Sequence, residues 1–270
     1  MRKAIIYLYI AMAVVGCAEQ TENNFPNQKD PAVTTPQDVV APNHRKPFNT
    51  ALPTIGVLMF DGVLQIEVVA TSDVFSKPSA EGAQLFNVIT VVETIDPVVS
   101  EEGITFLPDY TFDNCPPLTA LFVPSAFDMD GQVNNPDVID FIRKKNVETD
   151  YVVSNCAGAR LIGESGIADG HRIVTWIGGG EDLQRDYPRL LVQDDSEVSF
   201  VTDGKFSSSN GNLASYISAL QLLEKISGTG HREYVEDYLY LARLKSWSEA
   251  FSRAPSPDDK LHRTPEKMAD

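Results

Sequence analysis

From residue 54 onward, short apolar runs alternate with segments whose apolar residues recur every three or four positions, and that alternation leaves few folds open. The strand-like runs are residues 54–60 (TIGVLMF), 85–92, 119–123 (TALFV) and 151–154 (YVVS), with shorter ones at 172–174 and 197–200. The helical segments are 63–75, 135–146 behind Pro136, 157–165, 213–226 and 233–247, and residues 97–106 read as a small hairpin. A run such as 54–60 is apolar at nearly every position, as a strand covered on both faces must be. Parallel neighbours need a crossover connection, so strands alternating with helices predict a mainly parallel sheet with helices on both faces. The expected fold is a three-layer α/β domain over residues 54–230. A helical extension at 231–253, rich in tyrosine and leucine, and a polar tail at 254–270 with three prolines follow it.

The amino terminus carries a different signal. Arg2 and Lys3 precede an apolar run, residues 4–15, that is too short to span a bilayer, and Val14-Val15-Gly16-Cys17 closes it. This pattern resembles the signal peptide of bacterial lipoproteins, residues 1–16. The resemblance implies cleavage before Cys17, acylation of that cysteine, and an exported protein held on a membrane surface, periplasmic or cell-surface. Residues 18–53 hold six of the 17 prolines among many polar residues, so 17–53 reads as a lipidated cysteine followed by a disordered tether.

Composition narrows the partners. The formal net charge is −16, and loss of residues 1–16 removes only the positive Arg2 and Lys3. Such a surface repels nucleic acid, and no Lys/Arg cluster offers a local exception. Of three cysteines, one is committed to lipid, so no disulfide framework exists. Cys115, in Asn114-Cys115-Pro116-Pro117, reads as a small residue at a rigid turn. His44 and His262 lie in the tether and tail, His171 in the turn after Asp169-Gly170, and His231 at the start of the last helix. No paired Cys/His spacing suggests a metal site. Gly178-Gly179-Gly180 lacks the flanking pattern of a phosphate loop and reads as a flexible helix entry; no cofactor is expected.

Cys156 is the candidate for chemistry. It follows the strand 151–154 directly and opens a helix, which projects its side chain over the carboxyl end of the sheet. A helix amino terminus favours the nucleophilic thiolate, the Ala157 amide would face developing negative charge, and Gly158 permits a sharp turn. A small buried thiol fits the same local context, which leaves both readings open.

Four segments carry a family resemblance: IGVLMFDGVLQIEVVA (55–70), TFDNCPPLTALFVPS (111–125), YVVSNCAGARLIGESGIADGHRIVTW (151–176) and SSSNGNLASYISALQLLEKI (207–226). In this order they resemble the ThiJ/PfpI superfamily, and within it the branch of isonitrile hydratase and of the amino-terminal domains of AraC-type regulators. The resemblance implies a flavodoxin-like sandwich of the class I glutamine amidotransferase type and a homodimer. It places Cys156 on the family nucleophile and Glu67 on the acid that hydrogen-bonds it and moves protons. The Ala157 amide becomes the first oxyanion donor and Ala126 marks the second, with Asn155 and Trp176 at the pocket.

The chain departs from the family at three points. Ser125-Ala126 replaces a usual Gly-Gly, Trp176 stands where many members have histidine, and Ala157 replaces the threonine typical of isonitrile hydratases. A Cys-His dyad is thereby unexpected, which disfavours peptidase or amidotransferase chemistry. The implied activity is a cysteine-dependent lyase or hydratase on a small uncharged molecule, with isonitrile hydration as its pattern. A non-catalytic binding or redox-sensing module, and glyoxalase-type handling of dicarbonyls, are the alternatives. Regulation of DNA is set aside, because no helix-turn-helix segment follows the domain and the lipid anchor implies an exported chain.

Overall fold

The computed structural model describes residues 47–244. The signal peptide, Cys17 and most of the proposed tether lie outside the described residues, as do the polar tail and the end of the extension at 231–253. The chain runs β1 (Thr54–Leu58), α1 (Gln65–Phe75), β2 (Asn87–Val92), β3 (Val98–Val99), β4 (Thr105–Phe106), β5 (Tyr110–Thr111) and β6 (Ala120–Val123). It continues through α2 (Asp130–Val133), α3 (Pro136–Glu148), β7 (Tyr151–Asn155), α4 (Gly158–Ser165), β8 (Arg172–Ile173) and α5 (Gly180–Asp186). The described part closes with β9 (Leu191–Val192), β10 (Phe200–Asp203), β11 (Phe206–Ser209), α6 (Ala214–Ser227) and α7 (Thr229–Tyr238).

Seven strands form one sheet in the order β10-β11-β7-β6-β1-β2-β5, parallel except at β10–β11. This is the expected mainly parallel, flavodoxin-like α/β fold. Every residue of β1 and of β6 is buried, which is why both read as unbroken apolar runs. Phe75, Phe86 and Phe122 meet edge to face and fasten α1 to the sheet. At α3, the Asn135 side chain accepts the Asp137 N–H and Pro136 occupies a position that needs no amide donor.

Four elements differ from expectation. Helix α1 begins at Gln65 rather than 63, because Val63 bridges to Ala126 and Leu64 N–H donates to Ser125 O at 2.8 Å. The strand expected at 197–200 is instead the pair β10 and β11, with Ser207, Ser208 and Ser209 inside the sheet. The run 172–174 yields β8, which pairs with β9 outside the main sheet. The last helix starts at Thr229, four residues before the expected 233. Among the described residues, no helix is long and apolar enough to cross a membrane.

Candidate active site

Strand order reverses beside β1: the chain steps first to β2 on one side and later returns to β6 on the other. In open α/β sheets the crevice at such a switch point, outside the carboxyl ends of the strands, is where ligands bind. The segments that follow four adjacent strands each bring a residue to one cluster there. Glu67 follows β1, Ser125 follows β6, Cys156 follows β7 and Gly211 follows β11.

Cys156 sits in the left-handed region at φ 51, a conformation that costs a non-glycine residue about 1–3 kcal/mol. The surroundings hold it there. Its N–H donates to Ser209 O at 2.9 Å, extending the β7–β11 ladder by one residue. Its carbonyl accepts the Thr175 hydroxyl, also at 2.9 Å. Gly158 then lets α4 start against β6, since a Cβ there would collide with the Val123 carbonyl and lie 2.9 Å from Pro124 O. The outcome is a strand-to-helix elbow that presents a cysteine side chain above the sheet.

Glu67 is completely buried in the first turn of α1. Its Oε2 accepts the Ser125 N–H at 2.7 Å, while Oε1 meets no hydrogen-bond partner. Burial raises its pKa to about 7, against the lowering influence of Ser125 and of the Asn212 backbone. A carboxyl so placed carries a proton over the lower part of the neutral range, as an acid-base group requires. With Oε2 taken, that proton belongs on Oε1.

Gly211 shows where Oε1 points. Its φ is +80, and a Cβ built on it would overlap both Cys156 Cβ and Glu67 Oε1 and lie 3.2 Å from Cys156 Cα. The acid and the cysteine therefore converge on one bare patch of backbone, which only glycine supplies. This residue was not singled out in the sequence, although the turn Asn210-Gly211-Asn212 between a strand and a helix was there to be read.

The thiol corrects one expectation. Position at a helix amino terminus predicts a favoured thiolate, yet the Cys156 pKa is raised. Burial is the main cause and the neighbouring Glu67 charge adds to it; the Ser125 hydroxyl and the Ala157 N–H oppose them. Desolvation outweighs the terminus of an eight-residue helix. Cys156 and Glu67 thus compete for a proton, and the useful state is one proton shared by the pair.

The other expected site residues divide. Ala157 directs its N–H toward the Cys156 sulfur. Ala126 is buried and its N–H donates to Met129 Sδ at 3.0 Å, so that amide is occupied rather than free for an oxyanion. Asn155 turns away from the elbow: its Oδ1 accepts from Ser209 Oγ at 2.8 Å and Ser218 Oγ at 2.9 Å, which locks α6 against the sheet. Trp176 follows Thr175 and is half-buried, its indole packed against Gly179. Asn210 completes this wall by donating to Thr175 O at 2.6 Å.

Cys115 stands elsewhere, before β6, where its carbonyl and that of Pro116 accept the buried Lys145 ammonium, each at 3.4 Å. His171 pairs with Asp203 at 3.5 Å and His231 stacks on Tyr234, both away from the elbow. Among the described residues no group of three or more His, Cys, Asp and Glu is arranged to hold a metal ion.

A mainly parallel α/β sheet, with a cysteine on a strained elbow and a buried carboxyl converging on it, defines a class of cysteine-centred α/β proteins. The chain belongs to the DJ-1/PfpI family, whose profile matches residues 53–225. It is 29% identical over 184 residues to the isonitrile hydratase of Pseudomonas putida, an alignment covering 67% of this chain and 75% of that one. It shares its fold with a ThiJ/PfpI family protein from Pseudomonas syringae (TM-score 0.61, 19% identity, covering 80% of this chain and 85% of that one). It also shares it with an AraC family transcriptional regulator from Pseudomonas putida (TM-score 0.59, 16% identity, 69% and 98%).

Proposed function

We propose that this protein is a cysteine-dependent hydratase that converts a small, uncharged isonitrile to an N-substituted formamide. The observation that carries the reading is the buried Glu67, titrating near pH 7 with Oε1 unpartnered, converging with Cys156 on Gly211. The pair holds one proton. Cys156 sulfur forms a bond to the terminal isonitrile carbon while that carbon takes the proton from Glu67, which gives a thioimidate and a Glu67 carboxylate. Water then adds to the same carbon, one of its protons passing to nitrogen. As the carbonyl forms, the carbon–sulfur bond breaks, its electrons return to sulfur, and the remaining hydroxyl proton goes to Glu67. The net change is addition of one water, and the pair is restored with its single proton.

The burial of Glu67 and of the Cys156 thiol suits an uncharged substrate, because a charged one would lose its hydration on reaching them. The likeness to an isonitrile hydratase supports the substrate class. The lipoprotein-like amino terminus supports an exported, membrane-tethered protein, and the family resemblance supports a homodimer. Radiolabelled palmitate incorporation, lost in Cys17→Ala, is the check on the tether.

A second reading, a binding or sensing module, is favoured by one observation: the Ala126 amide is already bonded to Met129. One assay separates the two. Purified residues 47–270 are incubated with alkyl isonitriles and with methylglyoxal, beside Cys156→Ala. Formamide that appears only with Cys156 establishes the hydratase. Cys-dependent loss of methylglyoxal alone moves the assignment to dicarbonyl chemistry, and no turnover of either leaves the binding module.

A further inference from the structure

The loop after β6 has three hydrogen-bond donors that approach the cluster, and two are already engaged. Ser125 N–H is held by Glu67 Oε2 and Ala126 N–H by Met129 Sδ. The third is the Ser125 hydroxyl. Ser125 is completely buried and its Oγ makes no well-formed hydrogen bond, yet it lies within reach of both the Glu67 carboxyl and the Cys156 thiol and favours the charged form of each. A buried hydroxyl without a well-formed hydrogen bond carries a desolvation cost of about 1–3 kcal/mol that the neutral resting neighbours repay only in part. Such a group is explained where a charge arises during a reaction and meets it.

We infer that the Ser125 hydroxyl is a catalytic hydrogen-bond donor of this site, which stabilises the Cys156 thiolate and then the substrate atom on which charge develops, in place of the occupied loop amides. This rests on the proposed hydratase reading for its substrate, but its first consequence does not. Before any substrate binds, the hydroxyl donates to sulfur whenever Cys156 loses its proton. In the reaction the same O–H points at the nitrogen of the thioimidate as water adds to carbon. The Ala157 N–H supplies a second donor to the sulfur.

The variant Ser125→Ala removes one oxygen and leaves the loop backbone, with its bond to Glu67, in place. Three measurements are made on it and on the parent chain. Thermal unfolding is expected to be unchanged or slightly raised, since an unpartnered buried oxygen is removed. The pH midpoint for alkylation of Cys156 by iodoacetamide, followed in a Cys115→Ala background, is expected to rise. With an alkyl isonitrile, kcat is expected to fall about 100- to 1,000-fold, the usual consequence of losing one such donor, with KM little changed. An unchanged alkylation midpoint in a folded Ser125→Ala protein overturns the inference, whatever the turnover. A raised midpoint with no isonitrile turnover by the parent chain supports Ser125 as the thiolate donor and removes the hydratase reading. A lowered melting temperature with unchanged kcat shows a structural hydroxyl and overturns it as well.

Discussion

The two described cysteines make an instructive pair. Both are free and half-buried, and burial raises the pKa of both thiols. Their neighbours differ in sign. Cys115 lies beside the ammonium of Lys145, which opposes the rise, whereas Cys156 lies beside Glu67, which adds to it. The nearest charge alone therefore favours a thiolate at Cys115, although Glu148 opposes Lys145 there. What separates Cys156 is geometry: a left-handed elbow at a topological switch point, an unpartnered carboxyl oxygen close by, and backbone without a side chain opposite. A nucleophile in such a fold is made less by a low pKa than by a partner that takes its proton at the right moment.

That contrast breaks most completely at Gly211. Gly211→Ala forces a methyl into Cys156 and Glu67 at a backbone angle of +80°, so turnover should fall more than 1,000-fold and stability by about 1–3 kcal/mol. Kinetics and denaturant unfolding check both, and Cys115→Ala serves as the reference that leaves turnover intact.

Glu67→Gln keeps an acceptor for the Ser125 N–H but ends proton transfer, and should lower kcat about 100- to 10,000-fold. Its effect on stability has the opposite sign. The folded-state pKa of Glu67, about 7, lies above its ordinary value of 4.5, so the folded protein holds the proton more tightly than the unfolded chain. Stability from this group is fully present below the ordinary value and is lost as pH rises toward 7. Above that point the parent carries a penalty on the order of 3 kcal/mol, at about 1.36 kcal/mol per pKa unit. Glu67→Gln should therefore be more stable than the parent at pH 8 and show a flatter dependence between pH 4.5 and 7, as urea titrations at several pH values would reveal. The parent's turnover should rise with pH through about 7, as the pair loses its first proton, and fall once the raised thiol also ionises.

The smallest effect belongs to the other cysteine. Lys145→Met removes the charge beside Cys115 and the hydrogen bonds to the Cys115 and Pro116 carbonyls. It should cost about 1–3 kcal/mol, slow alkylation of Cys115 at a given pH, and leave turnover unchanged. Mass spectrometry of alkylated Cys156→Ala protein reads the second effect directly.

How much of this was legible before folding depends on where a residue's partners come from. The buried strands β1, β6 and β7 and the helices α3, α4 and α6 announce themselves, because their apolar period and caps are properties of contiguous residues. Cys156 and Gly158 were readable too, since an elbow is made by neighbours in the chain. β11 was not. Its three serines carry no apolar period and enter the sheet because distant groups satisfy them: Ser208 Oγ accepts the Val174 N–H at 2.8 Å, and Ser209 Oγ donates to Asn155. For Asn155, the family resemblance implied a pocket residue, and only the arrival of α6 turned its side chain inward.

By itself, the sequence determined the order and type of the elements, the parallel sheet they require, and a cysteine at the end of its central region. Those follow from local pattern and from connection rules that hold for any chain of L-amino acids. Tertiary structure decided the chemistry. Glu67 and Ser125 lie 58 residues apart, and their bond is what leaves one carboxyl oxygen for Cys156. The burial that lifts both pKa values, the bare backbone at Gly211 and the unpartnered Ser125 hydroxyl arise only when four strand ends meet. Desolvation is a property of the assembled surroundings, and no stretch of chain carries it alone.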